Sequence, residues 1–240
     1  MFFKLAVVRG TARLGAVAAL LAVPGALCGT AAADATSADA TAQSTTVQTE
    51  QVPLREAIGR LEVAPERRDG YDREAFKHWV DADRDGCDTR REVLLAEAVQ
   101  APELGGRCRL VGGTGTWHSY YDDVQVTGSR GLDIDHLVPL AESWDSGAHA
   151  WDAGRREAYA NDLDDPRALI AVTARSNRSK SDQDPREWLP PHAPALCRYI
   201  GEWTAIKLRW ALSADGAEKT RLTELAADCP DDPIEIVFAG

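Results

Sequence analysis

Asp133, Asp135 and His136 stand close together in the otherwise apolar stretch Gly131–Trp144, GLDIDHLVPLAESW, and Asn177, Arg178 and Lys180 follow in VTARSNRSKSDQDP. A carboxylate, an imidazole and a carboxamide in that order, with cations beside the last, can hold a hard divalent cation through oxygen and bring a phosphate to it. An imidazole whose pKa lies near neutrality can take a proton from water beside that phosphate. Each part alone has a plainer reading. Asp135 could simply accept backbone hydrogen bonds, and His136 could be a satisfied core histidine. The combination is far more specific than its parts.

Such groups need rigid elements to aim them. Apolar, β-rich residues predict a strand for the first stretch and another for ALIAVTA, directly ahead of Asn177. Alternation along the first strand sends Asp133 and Asp135 to one face and Ile134 and His136 to the other. The twist at the strand's end must then bring Asp135 and His136 to one cavity. Helical spacing appears in PLREAIGRLEV, YDREAFKHWVDAD, TRREVLLAEAVQ, SWDSGAHAWDAGRREAYAND, ALCRYIGEWTAIKLRWAL and DGAEKTRLTELAADC. Between Arg107 and Val126 the Val, Thr and aromatic residues, with a turn at Asp122-Asp123, predict a hairpin. The class is α+β, helix-rich, with no internal repeat.

The strings DIDHLVPLAESW and NDLDDPRALIAVTARSNRSKSDQDPREWLPP resemble the HNH, or ββα-metal, endonucleases. In particular they resemble secreted actinobacterial HNH proteins, which are similar to the C-terminal domain of GmrSD-type restriction enzymes. DADRDGCDTRREVLLAEA upstream fits the same group. The resemblance implies a core of two short strands and a helix around one divalent metal, usually magnesium. It implies that Asp135 is a metal ligand, His136 the general base and Asn177 the second ligand, with Arg178 and Lys180 near the phosphate. The metal would polarise a non-bridging oxygen and stabilise the departing 3′ oxygen, leaving 5′-phosphate and 3′-hydroxyl ends. The family's middle asparagine is expected at the start of the second strand, where this chain has Ala168. Its task, clamping the loop that orients the histidine, passes to Asn161 or to backbone groups. Glu142 could orient His136 or cap a helix. Among the other histidines, His118 alone is kept as a candidate substrate contact.

A second constellation, DADRDGCDTRRE, fits a twelve-residue calcium loop. Asp81, Asp83 and Asp85 are its first acidic ligands and Gly86 its turn; Cys87 would offer a backbone carbonyl, Thr89 fills the ninth place and Glu92 the twelfth. Asp88 stands where an apolar residue usually packs between paired loops, and no second loop is visible. The same residues read equally well as an acidic turn joining two helices. If Ca2+ binds, its role is structural.

Compartment follows from the N-terminus. Lys4, Arg9 and Arg13 precede the apolar run LGAVAALLAVPGALC, and Ala31-Ala32-Ala33 offers a small-residue cleavage site. Residues 1–33 are expected to be a signal peptide and 34–51 a disordered tether, leaving a single secreted domain over 52–240 and no membrane contact after cleavage. Within it, 52–105 forms a helical lobe, 106–191 the hairpin and ββα core, and 192–240 the C-terminal helices. Cys87, Cys108, Cys197 and Cys229 remain, an even count that in an exported chain argues for two disulfides. Of three connectivities, Cys87–Cys108 and Cys197–Cys229 are favoured, because each pair brackets one short unit. No Cys-x-x-Cys spacing supports zinc.

Net charge is −11 over the 240 residues, and the leader's cations have no acidic counterparts, so the remainder is more acidic still. Bulk electrostatic attraction to nucleic acid is thereby excluded. Arg167, Arg175, Arg178, Lys180 and Arg186, against Asp182 and Asp184, form a local basic island. The expected function is therefore a secreted metal-dependent nuclease acting on nucleic acid, DNA rather than RNA, with Mg2+ as cofactor. The alternative is a calcium-stabilised extracellular binding protein on an inactive nuclease-like scaffold.

Overall fold

The structure, a computed structural model, describes residues 48–240. The expected signal peptide and most of the tether lie outside the described residues. Strand β1 (Thr49–Pro53) opens the fold and pairs antiparallel with the last strand, β8 (Pro233–Val237), in the register Thr49↔Val237 to Pro53↔Pro233. Residues 49–51, assigned to the tether, are thus part of a ladder; the polar run hid a strand whose partner is the far end of the chain.

Helix α1 (Leu54–Arg60) buries Leu54, Ala57 and Ile58, the i, i+3, i+4 stripe of an amphipathic helix. The expected helix over YDREAFKHWVDAD is absent. Only a 3-10 turn, Arg73–Ala75, forms, capped by the Asp72 side chain. Phe76 is extended at φ −107° and Trp79 is left-handed at φ 59°. The groups a helix would have used bond elsewhere: the Phe76 carbonyl to His78 Nδ1, the Lys77 carbonyl to Asn161 Nδ2, and the Val80 carbonyl to Thr89 N. Helix α2 (Thr89–Ala96) then starts where Asp88 accepts from Arg91 N.

Two small ladders follow, β2 (Leu104–Gly105) with β3 (Arg109–Leu110) and β4 (Thr116–Ser119) with β5 (Val124–Thr127). The β4–β5 turn carries Asp123 at φ 55°, as the Asp122-Asp123 pair predicts. Strand β6 (Leu132–His136) pairs with β7 (Leu169–Thr173) from Leu132↔Thr173 to His136↔Leu169. Between them the predicted single helix is broken at Gly147 (φ 129°) into α3 (Leu140–Asp145), a 3-10 turn and α4 (Ala153–Ala160). Thr173 ends β7 and caps α5 (Ala174–Lys180), accepting from Ser176 N at 3.2 Å.

Helix α6 (Leu196–Arg209) is the core's axis, burying Tyr199, Ile200, Trp203 and Ile206, and α7 (Gly216–Ala227) packs beside it. Lys207 is fully buried on α6, donating to Glu142 at 2.8 Å, Ser146 at 3.0 Å and Glu218 at 2.5 Å. Removing one member of such a group costs about 3–5 kcal/mol. Glu142 is thereby occupied, and neither orients His136 nor caps a helix. Disulfides join Cys87–Cys108 and Cys197–Cys229, with Cα atoms 5.1 and 5.6 Å apart. No described helix is long and apolar enough to cross a membrane.

Candidate active site

The strand β6, its partner β7 and the helix α5 make one unit, because α5 leaves β7 with no intervening loop and lies back along β6. Two-residue alternation on the strand meets three-residue spacing on the helix. Asp133 Oδ2 accepts from Asn177 Nδ2 at 3.3 Å and faces Arg178 Nε at 3.4 Å. One step on, Lys180 Nζ donates to Asp135 at 2.8–3.0 Å and to the His136 carbonyl at 3.1 Å. Tyr121, from the β4–β5 turn, donates its hydroxyl to Asp135 Oδ2 at 2.7 Å.

Lys180 is wholly buried and Asp135 nearly so. Burial pushes the Asp135 carboxyl up and the Lys180 ammonium down, and the ion pair opposes both shifts. Lys180 is therefore no phosphate contact. It neutralises Asp135 from beneath and ties the end of β6 to α5.

His136 lies at a junction of aromatic rings. Trp79 is tilted over it at 5.5 Å, Tyr159 stacks at 6.5 Å and His78 meets it edge-on at 6.5 Å between centroids. Nε2 bonds the Ala160 carbonyl at 3.0 Å. A carbonyl only accepts, so Nε2 carries the proton and Nδ1 keeps its lone pair. No hydrogen bond among the described residues engages Nδ1. Burial holds the imidazole down to a pKa of about 3, so it stays neutral through the physiological range rather than titrating near neutrality.

A cavity of about 480 Å³ opens over these groups, lined by Asp135, His136, Asn177 and Arg178 and also by Tyr71 and Arg73. The strand twist does bring both faces of β6 to one space. Oxygen donors suited to a hard cation are present: a carboxylate has about four lone-pair sites, three donor contacts occupy Asp135, and Asn177, donating through its nitrogen, leaves its amide oxygen free. Among the described residues no three His, Cys, Asp or Glu converge here. The residues fit an ion that keeps most of its water, as magnesium does.

Asn161 lies apart. Its oxygen accepts from Val80 N at 3.1 Å and Thr89 Oγ1 at 2.8 Å, and its nitrogen donates to the Lys77 and Glu157 carbonyls, both at 2.8 Å. It fastens the segment carrying Trp79 to the end of α4, and the bond to His136 comes from its neighbour Ala160. The loop after His136 is held by backbone, with Leu137 N donating to the Ala168 carbonyl at 3.0 Å. His118 pairs with Asp123 at 2.9 Å on the exposed hairpin, away from the cavity. The basic island is mostly spent: Arg167 pairs with buried Asp165 at 2.6 Å, Arg186 with Glu187 at 3.2 Å, and Lys180 is buried.

Arg73, Trp79 and Tyr121 are the site residues that motif reasoning missed. Arg73 and Trp79 lie in a stretch whose spacing predicts a helix, and Tyr121 at the turn of the predicted hairpin, where nothing local marks them for the site.

In the acidic loop carboxylate oxygens of Asp81, Asp83 and Asp85 lie within 4.8 Å of one another, and one from Glu92 lies within 4.8 Å of Asp85, beside the disulfide sulfur of Cys87, which is not a ligand. Gly86, at φ 99°, makes the turn and donates to Asp81 at 3.1 Å. The incoming helix is missing. Thr89 spends its hydroxyl on Val80 and Asn161, so it does not serve the ninth position. Burial and the surrounding aspartates raise the Glu92 pKa.

The family model for the C-terminal domain of GmrSD restriction endonucleases matches residues 91–225. That span includes β6, β7, α5 and every residue named above on their side of the cavity. A protein of Arthroderma benhamiae named as an uncharacterized secreted protein is 39% identical over 173 residues, covering 72% of this chain and 82% of its own length. No solved structure matches the chain. With more than half of its length matched, and the matched half containing the cavity's carboxylate, imidazole and carboxamide, the chain belongs to the family of the GmrSD restriction endonuclease C-terminal domain.

Proposed function

We propose that the protein is an exported nuclease that hydrolyses phosphodiester bonds with one divalent cation, and that β6, β7 and α5 are its ββα-metal core. The observation that carries this reading is the state of His136: Nε2–H is spent on Ala160, Nδ1 has no hydrogen bond among the described residues, and the residue lines a cavity with Asp135, Asn177 and two arginines. Family membership supports nuclease chemistry, and the relative's name supports export.

His136 Nδ1 takes a proton from water, whose oxygen bonds to phosphorus as the bond to the 3′ oxygen breaks. That oxygen leaves with a proton from solvent, giving 5′-phosphate and 3′-hydroxyl ends. Asp135 and Asn177 would hold the cation, which supplies positive charge to the phosphate and to the departing oxygen. Arg178 and Arg73, which both line the cavity, offset charge that builds on the phosphate. The buried Lys180–Asp135 pair and the rings around His136 keep both groups from reorienting.

The acidic net charge favours a second reading, a calcium-stabilised binding protein on an inactive scaffold. A cleavage assay on plasmid and on single strands with magnesium, with EDTA, and with His136→Ala separates the two. Cleavage that needs both the cation and His136 supports the nuclease, and a folded wild-type protein that cleaves neither substrate rejects it.

A further inference from the structure

Helix α5 has two flanks, and only one of them faces the site described above. Asn177 and Arg178 look into the catalytic cavity, whereas Arg175, Ser176 and Ser179 line a second cavity of about 500 Å³ on the other flank. Its remaining walls are Asp122, Val124 and the segment Trp188–Leu189 with Pro191. Three features of this cavity point to a ligand with both an aromatic plane and a phosphate.

Trp188 is fixed. Its Nε1 donates to Ser179 Oγ at 3.1 Å, and Tyr121 and Tyr199 meet it edge-on at 5.1 and 5.7 Å. It is only partly buried, and its remaining surface lines the cavity beside Leu189 and Val124. Arg175 is exposed, with no hydrogen bond or ion pair among the described residues, in a protein where most neighbouring cations are paired. Asp122 holds its negative charge firmly, because hydroxyls of Ser119, Thr173 and Ser176 all donate to it. Its carboxylate repels a phosphate from the inner wall and can accept from an exocyclic amine of a base.

We infer that this second cavity is a subsite for one unpaired nucleotide flanking the scissile phosphate: the base stacks on Trp188 and the phosphate sits at Arg175. The inference rests on the nuclease reading and gives it a substrate class, single-stranded nucleic acid. The two cavities are one helix diameter apart, about 10 Å, so a strand crossing the exposed face of α5 over Arg178 and Arg175 reaches both. A base can enter only when it is out of the duplex, and aromatic stacking is the interaction that reads an unpaired base regardless of sequence. A local device of this kind also suits an acidic protein, which has no bulk attraction for duplex phosphates.

The test is binding of a short fluorescein-labelled single strand and its duplex to the full protein, by anisotropy in EDTA so that nothing is cut. Trp188→Leu should weaken single-strand binding roughly 5- to 150-fold, while Trp188→Phe, which keeps an aromatic plane, restores most of it. Because Trp188 also packs, Arg175→Ala on the exposed helix face is the second variant; it should weaken binding and lower the salt slope by about one. Duplex affinity should move little in all three. Single-strand affinity indifferent to both residues, an equal loss in Trp188→Phe and Trp188→Leu, or an equal effect on the duplex overturns the subsite. Cleavage of the same single strand by the wild-type protein in magnesium reads the parent proposal separately. Cleavage with binding indifferent to Trp188 and Arg175 removes the subsite alone, and Trp188-dependent binding without cleavage of single strand or plasmid removes the nuclease alone.

Discussion

Replacing Lys180 by Met removes an ammonium that no solvent reaches and leaves a carboxylate behind it. Lys180 donates to Asp135 at 2.8–3.0 Å and to the His136 carbonyl at 3.1 Å, and both side chains are buried. Taking one partner from a buried ion pair costs about 3–5 kcal/mol. In a domain of this size each kcal/mol lowers Tm by about 2–4 °C, so the variant should melt roughly 6–20 °C below its parent. The loss should also depend on pH in a definite sense. Burial already raises the Asp135 carboxyl, and without Lys180 it rises further. A carboxyl raised in the folded state adds stability below its unfolded pKa of about 3.9 and withdraws it as pH climbs through the folded value. The deficit is therefore largest near neutrality and narrows toward acid. Urea unfolding of parent and variant across that range, with the salt dependence of oligonucleotide binding alongside, is the assay. A variant as stable as its parent, with a salt slope reduced by about one, would mean that Lys180 is a phosphate contact after all.

The remaining predictions concern the site and the acidic loop. His136 is held neutral down to a pKa of about 3, so the acid limb of kcat/KM should fall well below pH 6; a limb at the ordinary histidine value would show a solvated imidazole. Asp135→Ala and Asn177→Ala should lose activity that excess magnesium partly restores, whereas His136→Ala should not respond to magnesium. Rescue of the histidine variant alone would reverse the ligand and base roles. Calcium should raise Tm through Asp81, Asp83, Asp85 and Glu92, and Asp83→Ala should abolish the gain; melting indifferent to calcium would leave those residues as a turn.

How much of this was legible depended on whether a feature was local. The β6 and β7 strands, the β4–β5 turn and the long helices α6 and α7 each follow from apolar period and turn chemistry within a few residues, whereas α5, a polar stretch, was expected only from the family resemblance. The failures all involve partners distant in the chain. Residues 76–80 look helical because Phe76, Trp79 and Val80 are spaced as a helix would space them, yet those residues are used to reach Asn161 and His136. Strand β8 is short and starts with proline, and only β1, at the other end, explains it. Lys180 looked like a surface cation because nothing local shows that Asp135 lies beneath it. His136 was legible as a residue of the site, but its tautomer depends on the Ala160 carbonyl, and a carbonyl has no sequence.

The ladder between β1 and β8 also imposes a timetable. Thr49 and Val237 pair across nearly the whole described chain, whereas the disulfides close separations of 21 and 32 residues. Contacts between distant residues form late, because loop-closure entropy must be met before they stabilise anything. A chain released from its N-terminal end can assemble β6, β7 and α5 while Val52 and Ala57 still wait for Ile236 to cover them. The clasp is therefore expected to form last. A protease that removes the final strand would strip β1 of its pairing partner and uncover Val52 and Ala57 while leaving every residue of the cavity in the chain.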